Sequence, residues 1–324
     1  MGQPNWQGLF AILVTPLTED DRVDEKGVRH LVDFACDQGL QGVVVLGSNG
    51  EFPYLSDEEK LRVMAAAADQ ARGRLPVLAG ASAFGTDQAI AYARAAKAAG
   101  CDGVMAALPL YFAVTLSQVK AHVQALAQEG GLPVFFYYFP ETTGLKLKPE
   151  ELAEIAAIPG VPGAKLTLTN RSFLKKTIAA TRPQNWAVFA GTSFLLADTL
   201  EFGGAGVFCP LPLIGPQELR GIHQAFSRGD RGQARALQDK VLRAIPIMTG
   251  MSLPPAALAA GFKLLSSRRY KGPPARTKPG HHLVKEALRL QGHPITNRVR
   301  RPFAPVTPKE SELVKKTLAD LGWL

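Results

Sequence analysis

The residue in this sequence with the most chemistry to explain is a lysine set inside an apolar, β-branched run. Lys165 sits in Gly163-Ala164-Lys165-Leu166-Thr167-Leu168-Thr169, which reads as a short buried strand, with Asn170 and Ser172 beyond it as turn or helix-cap residues. An ammonium group in a dry interior is costly, so a buried lysine either finds a carboxylate or gives up its proton. The neutral amine attacks ketones and aldehydes, and the resulting imine is an electron sink for making or breaking carbon–carbon bonds. A plainer role is also open, a lysine at a strand's end whose head reaches water. Other chemistry-bearing residues recur at strand ends: Gly47-Ser48-Asn49-Gly50-Glu51, Pro109-Leu110-Tyr111 and Tyr137-Tyr138-Phe139-Pro140. Each also has an ordinary explanation, as turn chemistry or as tyrosines whose hydroxyls reach a rim.

Whether these groups can meet depends on the elements that carry them. Short apolar runs at Leu9–Val14, Gly42–Leu46, Pro76–Ala79, Gly103–Ala107, Val134–Tyr138, Pro162–Leu166, Trp186–Ala190 and Gly206–Cys209 read as strands. Between and after them, Lys26–Gln38, Asp57–Ala71, Thr86–Ala99, Leu116–Glu129, Pro149–Ala157, Arg171–Ala180, Ser193–Phe202 and Pro216–Ser227 have helical character. Strand alternating with helix at this spacing predicts an α/β fold with a parallel sheet, and eight repeats predict a (β/α)8 TIM barrel over residues 1–229. An open doubly wound sheet is the alternative, weakened by the lack of a GxGxxG turn or a GxxxxGK[ST] loop. Beyond Asp230 the strand signal stops. Gln233–Met248, Pro254–Ser266, Leu283–Leu290 and Pro308–Leu321 predict a C-terminal helical region over 230–324, with a basic Pro/Gly-rich insertion near 251–280. In such a barrel chemistry belongs at the C-terminal ends of the strands, where Ser48, Tyr111, Tyr137 and Lys165 all fall.

Composition narrows the classes. The 324 residues, 46% of them hydrophobic, can bury a large core. Three cysteines, Cys36, Cys101 and Cys209, with no CxxC pair predict neither a disulfide framework nor a cysteine zinc site, and a reducing cytoplasm fits them. The net charge of +9 is confined to the end of the chain: residues 261–324 hold 14 Lys and Arg against 4 Asp and Glu. With few aromatics and no recognised motif, that region reads as a solvated surface, not a nucleic-acid site. Leu9–Val14 is too short to span a bilayer and reads as a strand, so no membrane role is expected. The six histidines form no HExxH, and His281-His282 beside Pro279-Gly280 reads as a solvated pair, so no metal is expected. No GxSxG elbow suggests a serine hydrolase.

On these residues the chain resembles the pyruvate-dependent class I aldolases that include dihydrodipicolinate synthase and N-acetylneuraminate lyase. The matching stretches are Leu13-Val14-Thr15-Pro16, Gly47-Ser48-Asn49-Gly50-Glu51 with Leu55-Ser56, Tyr137 with Pro140 and Gly144, Gly163-Ala164-Lys165, Gly203-Gly204-Ala205-Gly206-Val207 and Val299-Arg300-Arg301-Pro302. The resemblance runs nearly end to end, with a gap at roughly Met251 to Gly280. It implies that Lys165 forms the imine with pyruvate or a larger 2-oxo acid, and that Ser48, Asn49 and Gly50 belong to the turn that holds the substrate carboxylate. It implies that Tyr137 shuttles protons and that Tyr111 reaches into a neighbouring subunit's site, which assumes a homo-oligomer, dimer or tetramer. It implies no cofactor, the lysine itself being the electron sink.

Two departures bear on the second substrate. Where dihydrodipicolinate synthases carry an arginine for that substrate's carboxylate, this chain has Thr142, which cannot make a guanidinium's bidentate contact. Ser48-Asn49 replaces the synthases' Thr-Thr pair. Gly-Ser-Asn-Gly-Glu-Phe-Pro and the terminal Leu321-Gly322-Trp323-Leu324 look more like 4-hydroxy-2-oxoglutarate aldolases and 2-keto-3-deoxy sugar acid aldolases. The expectation is therefore a lyase acting on a 4-hydroxy-2-oxo acid to release or use pyruvate. The alternatives are a 4-hydroxy-tetrahydrodipicolinate synthase lacking the arginine, and a binding protein that senses a 2-oxo acid without turning it over. Leu166-Thr167-Leu168-Thr169 after the lysine predicts a pocket less polar than in the sugar-acid enzymes.

Overall fold

The computed structural model describes residues 6–108, 112–251, 254–266 and 280–324. Eight parallel strands close into a barrel in chain order: β1 (Gly8–Ile12), β2 (Gly42–Val45), β3 (Val77–Gly80), β4 (Gly103–Ala107), β5 (Val134–Tyr138), β6 (Gly163–Leu166), β7 (Ala187–Ala190) and β8 (Gly206–Cys209). Between and after them come α1 (Glu25–Asp37), α2 (Asp57–Ala71), α3 (Thr86–Ala98), α4 (Leu116–Glu129), the short α5 (Pro140–Thr143), α6 (Pro149–Ala156), α7 (Arg171–Thr181), α8 (Leu196–Glu201) and α9 (Pro216–Ser227). This is the (β/α)8 barrel expected from the repeat. The strands are near-continuous apolar runs because both of their faces are covered. Outward residues such as Leu9, Val43 and Phe136 pack under the helices, while Phe10, Ile12, Val44, Leu78, Met105, Phe135, Phe189 and Phe208 fill the interior.

The interior below the barrel mouth is aromatic. Phe10, Phe135, Phe189 and Phe208 are all fully buried, and the Phe189 and Phe208 rings stack at 4.1 Å. Trp6 packs edge-on against Phe135 at 4.9 Å, beneath the same layer. The seam between β8 and β1 needs Gly206, whose φ is +146° and where a Cβ would stand 1.9 Å from the Gly8 carbonyl oxygen. Helix starts are fixed by local chemistry: capping boxes at Ser56/Glu59 and Thr115/Gln118 open α2 and α4, and Asn170 caps α7. Each such cap contributes about 1 kcal/mol.

The C-terminal region is helical, as expected, with α10 (Arg231–Leu242), α11 (Ile245–Thr249), α12 (Pro255–Leu265), α13 (His281–Leu290) and α14 (Pro308–Leu321). The single helix expected over Gln233–Met248 is broken after Leu242. Pro246 has no N–H to donate to the Leu242 carbonyl and its ring would collide with it, so the chain turns and restarts. A second correction concerns His281-His282, which begins α13 instead of lying in a solvated loop. His281 is 3% exposed and packs edge-on to Phe303 at 4.7 Å. Of the expected 251–280 insertion, residues 252–253 and 267–279 lie outside the described residues.

After α13 the chain runs as a strap over the loops that follow β1 and β2. The Thr296 hydroxyl donates to the Leu17 carbonyl at 2.7 Å, Arg298 pairs with Glu19 and Asp21, and Arg300 pairs with Glu59. Among the described residues no helix is long and apolar enough to cross a membrane.

Cutting Phe208 to Ala should cost about 3–5 kcal/mol, because the ring's contacts are lost and the closed barrel cannot collapse to fill the gap. Urea unfolding measures it, and a loss below about 1 kcal/mol would show that the aromatic layer does not carry the core.

Candidate active site

Strand alternation and register bring the central pair together. On β5, Tyr137 faces the interior and Tyr138 faces out, where its hydroxyl accepts from the Leu147 N–H at 2.9 Å. Parallel pairing sets Tyr137 opposite Lys165 of β6, and Lys165 opposite Phe189 of β7. Lys165 is 3% exposed, and its Nζ lies 4.1 Å from the centre of the Tyr137 ring. It makes no ion pair among the described residues.

Ser48 joins this pair from β2. Its Oγ is 3.4 Å from the Tyr137 hydroxyl. It opens a single 3-10 turn, Ser48–Gly50, bracketed by two non-glycine residues with left-handed backbone, Leu46 (φ 57°) and Glu51 (φ 57°). Such conformations cost about 1–2 kcal/mol each and persist where surrounding contacts enforce them. The first N–H groups of a turn have no partner within it, which suits a carboxylate. Asn49 is half-buried in the turn. Gly50 is buried, and its carbonyl accepts from the Thr15 hydroxyl at 2.7 Å, which ties the turn to the end of β1.

Of the remaining site candidates, Thr142 is exposed on α5, its N–H donating to the Phe139 carbonyl at 3.1 Å, and it makes no polar contact with Lys165, Tyr137 or Ser48. Tyr111 lies outside the described residues, as do Pro109 and Leu110.

Two features went unread in the sequence. Thr167 follows Lys165 by two residues and so shares its inward side. A Cβ on Gly191 would fall 2.1 Å from the Thr167 Oγ1, so the bare glycine at the end of β7 is what makes room for this hydroxyl. Thr167 Oγ1 is buried with no hydrogen-bond partner among the described residues. The run after the lysine is thus less apolar toward the site than its composition suggests; the signal was the two-residue strand period. The second feature is the anchoring of Glu51. This 1%-exposed carboxylate receives Lys285 Nζ at 2.5 Å and the Arg300 N–H at 2.6 Å, and Lys285 also donates to the Arg298 carbonyl at 2.6 Å. Burial pushes the fully buried Lys285 ammonium toward losing its proton, opposed by the Glu51 charge and hydrogen bond. Nearby Glu286 is pushed up by burial but is held below the usual carboxylate range by Arg289, Ser311 and Asn297.

The chain that carries this lysine and tyrosine, over an aromatic floor and beside a strained hydroxyl-bearing turn, matches known proteins in sequence and fold. The dihydrodipicolinate synthetase family model matches residues 5–265. The chain belongs to that family. Its members are pyruvate-dependent class I lyases, and this protein is an enzyme of that kind. Among its relatives, the 4-hydroxy-tetrahydrodipicolinate synthase of Maridesulfovibrio salexigens is 34% identical over 237 residues, covering 73% of this chain and 80% of that one. An uncharacterized DapA-like lyase of Halobacterium salinarum is 33% identical, covering 75% and 82%. Among solved structures of the family, the Escherichia coli K12 prophage protein YagE, determined in complex with pyruvate, superposes with a TM-score of 0.85 at 26% identity, over 98% of this chain and 99% of that one.

His281, 3.8 Å from Glu51, is pushed down to about 4, by burial first and then by the Lys285 and His282 charges. Below pH about 6.5 the unfolded chain takes up a proton on this imidazole that the folded chain refuses until about pH 4. Stability therefore falls as pH drops through this window, by up to roughly 3 kcal/mol for this group. His281→Leu should flatten that fall in urea titrations at pH 7 and pH 5. An unchanged pH slope would mean that the imidazole is protonated in the fold.

Proposed function

We propose that Lys165 forms an imine with the ketone of pyruvate and that the enzyme makes or breaks the bond between the pyruvate methyl carbon and an aldehyde. The observation that carries this is Lys165 buried without a carboxylate, its Nζ over the Tyr137 ring, in a family whose solved members include a pyruvate complex. The amine adds to C2, water leaves, and loss of a C3 proton gives an enamine that attacks the aldehyde carbon. The new alkoxide takes up a proton, and hydrolysis of the imine frees the amine and a 4-hydroxy-2-oxo acid; cleavage runs the same steps backward. Tyr137, within 3.4 Å of the Ser48 hydroxyl, is our candidate for the proton transfers, and the Ser48–Asn49 turn for the pyruvate carboxylate.

Two readings of the aldehyde follow. The relatives named as 4-hydroxy-tetrahydrodipicolinate synthases, at 28–34% identity, support a synthase more strongly than an aldolase. The aldolase reading rests on two residues: Thr142, exposed where a carboxylate-binding arginine would be expected, and the unpartnered Thr167 hydroxyl, suited to a hydroxylated carbon chain. Pyruvate consumption that requires aspartate semialdehyde would establish the synthase. Release of pyruvate from 4-hydroxy-2-oxoglutarate or a 2-keto-3-deoxy sugar acid would establish the aldolase. Turnover of neither, with tight pyruvate binding, would favour the sensing protein.

Incubation with pyruvate and borohydride should add one reduced pyruvyl group, mapped by mass spectrometry to Lys165, and Lys165→Ala should lose both the adduct and all turnover. A folded native protein without the adduct would end the imine reading. Tyr137→Phe should lower kcat by about 10²–10⁴-fold, with the borohydride adduct still formed; a change confined to KM would reassign Tyr137 to binding.

A further inference from the structure

We propose that Lys285 and the strap at residues 295–303 are positioning elements for the substrate-carboxylate turn, so that the C-terminal region sets pyruvate affinity. This rests on the reading of Ser48-Asn49 as the carboxylate site. Glu51 is the link. Its backbone closes the Ser48–Gly50 turn, the Glu51 N–H donating to the Ser48 carbonyl at 3.2 Å, in a left-handed conformation that a glutamate does not adopt without external contacts. Its side chain leaves the barrel mouth and ends in the C-terminal region, where all of its hydrogen bonds lie: Lys285 on one oxygen and the Arg300 N–H on the other. Lys285 is 0% exposed and also holds the Arg298 carbonyl, so one ammonium joins α13, the strap and the turn. The strap is itself fixed on the loop after β1 through Thr296 and Arg298 and on the first turn of α2 through Arg300. On the barrel side, among the described residues, the turn is held by the Thr15 hydroxyl on the Gly50 carbonyl and by the longer contact of Ser48 with the Tyr137 hydroxyl. Without the Lys285 contact, Glu51 loses the partner that offsets its burial, and the turn is free to leave its strained backbone.

A merely structural ion pair would affect melting but not the binding of pyruvate by molecules that remain folded. The double variant Glu51→Gln/Lys285→Met separates the two, because it removes both charges together and leaves an amide oxygen to accept the Arg300 N–H. With folding checked by circular dichroism, its KM for pyruvate should rise about tenfold while kcat changes less than threefold. Lys285→Arg, which keeps the charge, should recover part of the affinity. A folded double variant with a KM within twofold of native would overturn the proposal. A measurement on the native protein stands independently of whether variants fold. By reciprocity, pyruvate trapped at the site should slow amide exchange in the peptides covering 281–290 and 295–303. Protection confined to the barrel strands and their loops would overturn the proposal as well. Absence of the pyruvyl adduct in the native protein would instead remove the reading on which it rests.

Discussion

One lysine inside a closed aromatic barrel is the constraint around which this molecule is arranged. Lys165 lies between Tyr137 and Phe189 across the strand register, against the buried aromatic layer, with no carboxylate paired to it among the described residues. A dry interior tolerates an amine only if its environment is specified on every side, and each strand contributes to that specification. β5 supplies Tyr137 inward and spends Tyr138 on holding the segment before α6, β7 is followed by Gly191, which leaves room for the Thr167 hydroxyl, and β2 turns away through Leu46 to bring Ser48 over the mouth. The barrel's lower half is thus a packed aromatic floor, and its upper rim carries the candidate polar groups.

The strain at that rim is offset from outside the barrel. Leu46 and Glu51 each cost about 1–2 kcal/mol of backbone energy, and the Glu51 side chain is held in place by a buried ion pair with a residue 234 positions away in sequence. A buried pair is not a strong source of net stability, but removing one partner is heavily penalised, which makes it an effective lock on geometry. The same reasoning explains why α13 carries so many buried polar groups. Lys285, Glu286 and His281 lie on a helix wedged between the turn and α14, and each is either paired or held neutral.

Much of this was legible in the sequence, because it depends on short-range periodicity. Eight apolar runs gave eight strands within two residues at most ends, and the two-residue strand period separates Tyr137 from Tyr138 without any structure. What escaped has a common physical origin in long-range contacts. Lys285 in the amphipathic pattern of His281–Leu290 looks like any surface lysine, and only the fold reveals Glu51 beside it. His281 looked solvated for the same reason, since Phe303 and Glu51, which bury it, come from other parts of the chain. The break at Pro246 was a local signal overridden by a long apolar pattern, and Thr167 was lost by weighing composition over direction.

The division between floor and rim also bears on the second substrate. The proposed pyruvate end combines a strand register, a strained turn and an ion pair that fixes it. Altering one of these disturbs the others. The proposed aldehyde end, by contrast, rests on single side chains standing on short connections, Thr142 on the one-turn α5 and Thr167 just past the end of β6. A threonine in place of an arginine at such a connection would remove a cation without touching the barrel. Identity of about one third over most of the chain leaves single positions such as these undetermined, so the relatives bear on the family's shared chemistry more directly than on the aldehyde. On our proposed reading the polarity of the rim decides the aldehyde: a carboxylated semialdehyde would need a cation that Thr142 does not supply, whereas a hydroxylated chain would need only a donor or acceptor such as the Thr167 hydroxyl.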